Sequence, residues 1–147
     1  MTQPIDLPAG WQRTIRVTDI APPQPTTLAG VYRAAARVMA TNHLHQGDMV
    51  ADAFDRVLTT PHATRPMCVT GAIRTAVSGD PHTETPLASL AIRFLADRLL
   101  VDGCGPYGDD DMAAEFHLAS WCDVVGRTTE SVCAVLYPAA DASEVSA

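Results

Sequence analysis

Leu87-Ala-Ser-Leu-Ala-Ile-Arg-Phe-Leu-Ala-Asp-Arg-Leu99 is the stretch that decides the fold. Leu87, Leu90, Ala91, Phe94, Leu95 and Leu99 recur every three or four residues, which places them on one face of an α-helix. A stripe of that kind is stable in water only when other elements cover it, so the flanking sequence must supply partners. Upstream, Pro66 suits the first turn of a helix carrying Val69, Ala72, Ile73, Ala76 and Val77, with Gly79 as its C-terminal cap. Before it, Leu28, Val31, Tyr32, Ala35, Val38 and Met39 keep the same period. Thr26 or Thr27 caps that helix, and it ends near Asn42. Between the two, Met49, Val50, Ala53, Phe54, Val57 and Leu58 predict a shorter helix over residues 48–58, capped by Asp48. Downstream of the loop Gly103–Gly108, Asp109, Asp110 and Asp111 suit the positive end of a helix running to about Trp121. A last helix starts at Thr128 or Thr129, buries Val132, Val135 and Leu136, and is predicted to stop at Pro138.

Five or six helices, short loops and no internal repeat predict a mainly α protein, a compact single-domain bundle. Residues 27–138 are the helical domain and residues 139–147 a flexible tail. Residues 1–26 form an extended, proline-rich N-terminal arm, punctuated by Pro4, Pro8, Pro22, Pro23 and Pro25. Within the arm, Trp11, Ile15 and Val17 allow one short strand and anchor the segment over the body.

The 147 residues amount to one domain, long enough for a hydrophobic core without disulfides or metal staples. All ten basic residues are arginine, so lysine Schiff-base chemistry and a P-loop are excluded. A net charge of −7 argues against nucleic acid or an anionic membrane as partner. No apolar run approaches the ~18–20 residues a membrane span needs, and the N-terminus does not read as a secretory signal. Cys68, Cys104, Cys122 and Cys133 form no CxxC pair, which fits reduced thiols in the cytoplasm.

Three stretches carry a family resemblance. They are Tyr32-Arg-Ala-Ala-Ala-Arg-Val38 followed by His45-Gln46-Gly47, then Cys68-Val-Thr-Gly71-Ala72-Ile73, then Trp121-Cys-Asp123 with Gly126-Arg127-Thr128. In their order, over roughly residues 28–137, the chain resembles an uncharacterised family of small bacterial helical proteins, a domain of unknown function. The resemblance implies a single helical domain, a variable connection over residues 48–65 and no particular activity. Members usually carry an aromatic residue where Leu44 stands and asparagine where Cys122 stands.

Cys68 is the first candidate for chemistry. A cysteine in a helix's first turn can have its thiol shifted toward thiolate, and a nucleophile also needs a base nearby. His43, His45, His62, His82 and His117 are the bases available, with His45 and His117 preferred. Packing beside Gly71 and Ala72 is the plainer role for this cysteine. Asp123 serves as acid or base, as a turn cap, or as the seat of a cationic ligand; Arg127 pairing with it would keep it ionised. His43 and His45, two apart, would face one way in extended backbone and could ligate a metal with Asp48, Asp123 or His117. The plainer role for one of them is to cap the preceding helix. The three aspartates 109–111 lack the spacing of a calcium loop and read as a cap. Arg33 and Arg37, one turn apart, offer an anion site or an exposed face.

Two functional readings follow. The first is a small cytoplasmic helical module without cofactor that binds a small molecule or a protein partner. It would use Trp11, Tyr107, Trp121 and Arg127, and its apolar stripes allow a homodimer. The second is a cofactor-independent enzyme of bacterial specialised metabolism using Cys68 or Asp123 with a histidine. A third, metal-dependent hydrolysis through His43 and His45, trails both.

Overall fold

A computed structural model describes residues 23–54 and 60–146 of the chain. The expected arm, with Trp11, lies outside the described residues apart from Pro23 to Thr26. Five α-helices follow in order: α1 (Leu28–Asn42), α2 (Val69–Ser78), α3 (Pro86–Arg98), α4 (Asp111–Cys122) and α5 (Thr129–Ser146). A single 3-10 turn (His62–Thr64) precedes α2, and isolated bridges replace strands among the described residues. The mainly helical class is as the stripes predict.

Side-chain caps set most helix starts. Thr27, Thr85 and Asp110 each accept a hydrogen bond from the backbone N–H three residues on, relieving one orphan donor per helix. Asp110 confirms the capping role of the aspartate run, although α4 begins two residues later than Asp109. Gly79 closes α2 at φ 84°, a left-handed conformation that glycine adopts without strain.

α1 lies against α2 on one side and α5 on the other. Val31, Tyr32, Ala35, Ala36 and Met39 are fully buried between them. The Tyr32 hydroxyl donates to the Ala91 carbonyl of α3, so this fully buried ring is also satisfied. On the surface, Arg33 of α1 pairs with Asp141 at 3.2 Å and Glu144 at 2.7 Å on α5. That is a carboxylate partner within the chain, not an external anion.

Four expectations are corrected. Residues 48–54 form bends and a turn, not the start of a helix, and residues 55–59 lie outside the described part. The reason is competition for backbone groups. Cys68 N–H donates to Met49 O, Ala51 N–H to Pro66 O, and Val50 bridges Met67. Buried Arg65 then takes the carbonyls of Ala51 and Asp52. Groups spent this way cannot close helical turns. The same pairing holds Met67 extended, so α2 starts at Val69 and Cys68 is its N-cap, not a residue of its first turn.

The third correction concerns α5, which passes through Pro138 and continues to Ser146. Proline forfeits the bond to the Ala134 carbonyl, but Ala134 and Pro138 both face solvent. On the opposite side Ala139, Ala140 and Ser143 are buried, and their burial holds the last two turns. The stripe of α3 is also rotated from the expected one. Ala88, Ala91, Ile92, Leu95 and Ala96 face inward, while Leu90 is 45% exposed. Alanines let the helices approach closely, and the larger Leu87 and Phe94 sit at the margin of the core.

Candidate functional site

A strap of residues 43–51 ties four parts of the fold together. His43 ends α1 at φ 74°, turning the chain sharply out of the helix. Leu44 N–H then donates to Thr129 Oγ1 at the start of α5, 2.9 Å. His45 N–H donates to Met67 O just before α2, 3.0 Å. Gln46 Nε2 donates to the carbonyls of Cys122 and Val124 at the end of α4, 2.8 and 3.0 Å. Gly47 N–H donates to Asp123 Oδ1, 2.9 Å. Orphan carbonyls at a helix C-terminus need donors, and the Gln46 amide supplies them, while Gly47 takes the carboxylate just past the helix. The three stretches that carry the family resemblance therefore meet at one place.

Where the strap crosses α2, Gly71 leaves no room for a side chain. A Cβ there would meet Met49 O at 3.1 Å and Met67 Cβ at 3.2 Å. This close approach leaves a cleft of about 320 Å³ between the strap, the start of α2 and the outer face of α4. Its wall on α4 is Met112, Glu115, Phe116 and Ala119, with Asp123 just past the helix end. Spacings of three, four, seven and eleven from Met112 put all five on one helical face. Met112 and Phe116 are 62% and 58% exposed, apolar side chains facing open space. Asp48, Met49, Cys68 and Thr70 line the other side.

The cleft is acidic. Asp48, Glu115 and Asp123 line it, and Arg74, outside the lining, pairs with Glu115. Arg74 is 95% buried, with Nη2 2.6 Å from Glu115 Oε1 and 3.6 Å from exposed Glu84. Its Nη1 reaches Met49 Sδ at 3.7 Å, and its buried Nε has no partner among the described residues. Three carboxylates against one guanidinium leave a negative field focused between low-dielectric walls.

Cys68 and Asp123 are brought together in this cleft, as two of the four candidate reactive residues. His45 and His117 are not in its lining. His117 is buried on the inner side of α4, its Nε2 2.7 Å from the Leu99 carbonyl. The thiol differs from the sequence expectation. Burial pushes the Cys68 thiol up, and that outweighs the opposing N–H bonds from Gly71 and Thr70 at the start of α2. Cys122, whose Sγ accepts from Val69 N–H at 3.5 Å, is pushed up to about 12 by burial and then by Cys68. All four cysteines are free.

Of the aromatic candidates, Trp11 lies outside the described residues. Tyr107 is 73% exposed on the loop before α4, whereas Trp121 is buried. Arg127 lies over the Trp121 ring, 3.7 Å from its centroid, and donates from Nε to the Trp121 carbonyl at 2.9 Å. The guanidinium thus closes the helix end with a cation–π contact rather than pairing with Asp123. His43 and His45 acquire no third ligand: among the described residues no group of three or more His, Cys, Asp or Glu side chains is placed to hold a metal ion together.

Sequence reasoning missed Arg74, Glu115, Met112 and Phe116. A signal existed for the last two. Ala114, Leu118 and Trp121 form one apolar stripe, and Met112, Phe116 and Ala119 form a second on the opposite face. A helix with two apolar faces either lies wholly inside or lines something. A larger groove of about 520 Å³ beside α1 and α2, reached by Pro23, Arg37 and Thr75, holds none of the candidate reactive residues.

The model of a family of unknown function (DUF6197) matches residues 23–142. No curated protein and no solved structure matches the chain. Among the described residues no helix is long and apolar enough to cross a membrane.

Proposed function

The chain belongs to the family of unknown function DUF6197, and from that premise we propose that it is a small cytoplasmic module binding an organic cation with an apolar part. The observation that carries this reading is the cleft between strap and α4. Exposed Met112 and Phe116 stand there beside three carboxylates on a preformed wall. Ligand sites are concave, mostly apolar and oriented by a few polar groups, and this cleft has that composition. One oxygen of Asp123 holds the Gly47 amide, which leaves the other oxygen to face an ammonium group. A free-thiol inventory of four cysteines agrees with a reducing compartment.

Binding is favoured over the catalytic alternative by two features of the same cleft. No histidine lines it to serve as base, and burial keeps the Cys68 thiol protonated at neutral pH.

A matched pair of probes tests the reading: phenethylammonium and phenylacetate, titrated into 15N-labelled protein. The ammonium is expected to shift the amide resonances of Gly47, Met49, Cys68 and Thr70 saturably, and the carboxylate to leave them in place. Asp123→Asn keeps an oxygen for the Gly47 amide while removing the charge. It should weaken the ammonium about fivefold, the equivalent of about 1 kcal/mol for a partly exposed ion pair. Equal response to both probes, or none to either, overturns the proposal.

A further inference from the structure

Away from the cleft, two histidines twenty residues apart meet side by side. His62, on the 3-10 turn, and His82, in the turn between α2 and α3, have Nδ1 and Nε2 only 2.8 Å apart. Their rings are 5.0 Å apart between centroids and inclined at 60°. At that distance one nitrogen carries the proton and the other offers its lone pair, so the two imidazole nitrogens face each other across a shared proton. His82 is exposed and His62 half-buried, and a hydrogen bond so open to water contributes little stability. The arrangement is held from behind instead.

Both turns are fixed by other bonds. Thr64 N–H donates to Pro61 O and Arg65 N–H to His62 O, while the buried Arg65 guanidinium grips the Thr60 carbonyl. On the other side Asp80 accepts from His82 N–H at 3.2 Å and from the Thr83 hydroxyl at 2.7 Å. Its carboxylate lies within electrostatic reach of both rings.

We propose that His62 Nδ1 and His82 Nε2 together bind a borderline divalent cation of the zinc, nickel or copper(II) kind. Imidazole is the side chain such ions prefer, and neutral histidine binds through either ring nitrogen. Metal–nitrogen bonds of about 2.0–2.1 Å at angles between 90° and tetrahedral need the two nitrogens about 2.9–3.4 Å apart. From the observed 2.8 Å the nitrogens must part by a few tenths of an ångström, and the rings must turn to bring both lone pairs onto the ion, as the shared proton leaves. Asp80 lowers the electrostatic cost of bringing a dication to the pair. Water fills the remaining positions, so the ion would be held at the surface with open coordination sites. It would also join the segment before α2 to the turn after it.

The test uses the full chain, untagged and stripped with chelator. Copper(II) is followed by electron paramagnetic resonance and zinc by calorimetry. One equivalent should bind with two-nitrogen hyperfine structure. His62→Ala and His82→Ala should each weaken it at least tenfold and reduce the pattern to one nitrogen, and the double variant should lose the remaining nitrogen as well. The ring of His82 is exposed, so its variant keeps the fold; His62→Gln serves if His62→Ala melts early. A His43→Ala/His45→Ala variant should bind as the parent does. Affinity unchanged in His82→Ala, or lost in the His43/His45 variant, overturns the assignment. Neither result bears on the cleft, where no imidazole is involved.

Discussion

Removing Glu115 should destabilise the protein more than removing Arg74, although both belong to one ion pair. At 2.6 Å the attraction between the charges is about 6 kcal/mol with an effective dielectric near 20. Desolvating the almost fully buried guanidinium consumes several kcal/mol of that, so the pair as a whole is close to neutral. The two halves are not equivalent. Glu115 is one-third exposed and can be hydrated when its partner goes, whereas Arg74 cannot. Arg74→Met also deletes the buried Nε that has no partner, and fills similar volume with apolar atoms. Its expected cost is about 0–1 kcal/mol. Glu115→Gln leaves a buried cation with Glu84 at 3.6 Å as its remaining carboxylate, and should cost about 2 kcal/mol. For a domain of this size that is a fall in Tm of roughly 4–8 °C. Urea unfolding followed by circular dichroism, on both variants and the double variant, gives the cycle. The double variant should recover to the level of Arg74→Met. An Arg74→Met variant less stable than Glu115→Gln would refute the argument, because it would mean that the guanidinium is a net source of stability.

Other consequences are separate. Gly71→Ala gains about 1 kcal/mol of helix propensity but forces a Cβ against the Met49 carbonyl, so a net loss of about 1–2 kcal/mol is expected by urea titration. A stabilised variant would show that the strap yields easily. Pro138→Ala restores the bond to the Ala134 carbonyl within a continuing helix and should add about 1–2 kcal/mol; a loss would mean that the helix bends there for packing. The Cys122 thiol is raised in the folded chain, so its contribution is complete below the ordinary thiol value of 9.0 and is lost as pH rises toward about 12. Cys122→Ala should flatten the alkaline fall of stability by up to about 1.4 kcal/mol per pH unit, read from unfolding midpoints between pH 8.5 and 10.5. An unchanged slope would leave Cys68 and Tyr32, also raised by burial, to account for it.

The helices were legible because local and tertiary signals agree in them. Thr27, Asp110 and Gly79 act as caps where their types predict, and the apolar period of α1 and α2 matches the faces they bury. Residues 48–54 misread for the opposite reason. Their apolar spacing fits a helix, but a partner at residues 65–68, distant in the analogy of local rules, takes their amides and carbonyls. Pro138 misread because proline's local preference is overridden by alanines beyond it that are buried against the bundle. Period and propensity describe a segment in isolation, and in both places the deciding partner lies elsewhere in the chain.

The site was legible only in its anchors. Cys68 and Asp123 stood out as chemical types, and both line the cleft, but what makes the cleft is less conspicuous. A glutamine gives its amide to two carbonyls, a glycine's N–H finds a carboxylate, and another glycine admits a neighbouring backbone. None of these residues carries reactive chemistry, so none signals a site by type. Their effect is to fix the strap against the end of α4 and the start of α2, and Met112 and Phe116 remain exposed beside it. Had the strap been the helix its apolar period predicts, its Met49 and Val50 face would have been free to pack on that stripe. The cleft is therefore a product of the same backbone pairing that breaks the helical reading of residues 48–54. The place where local rules fail is the place where the fold leaves an acidic, apolar-walled opening.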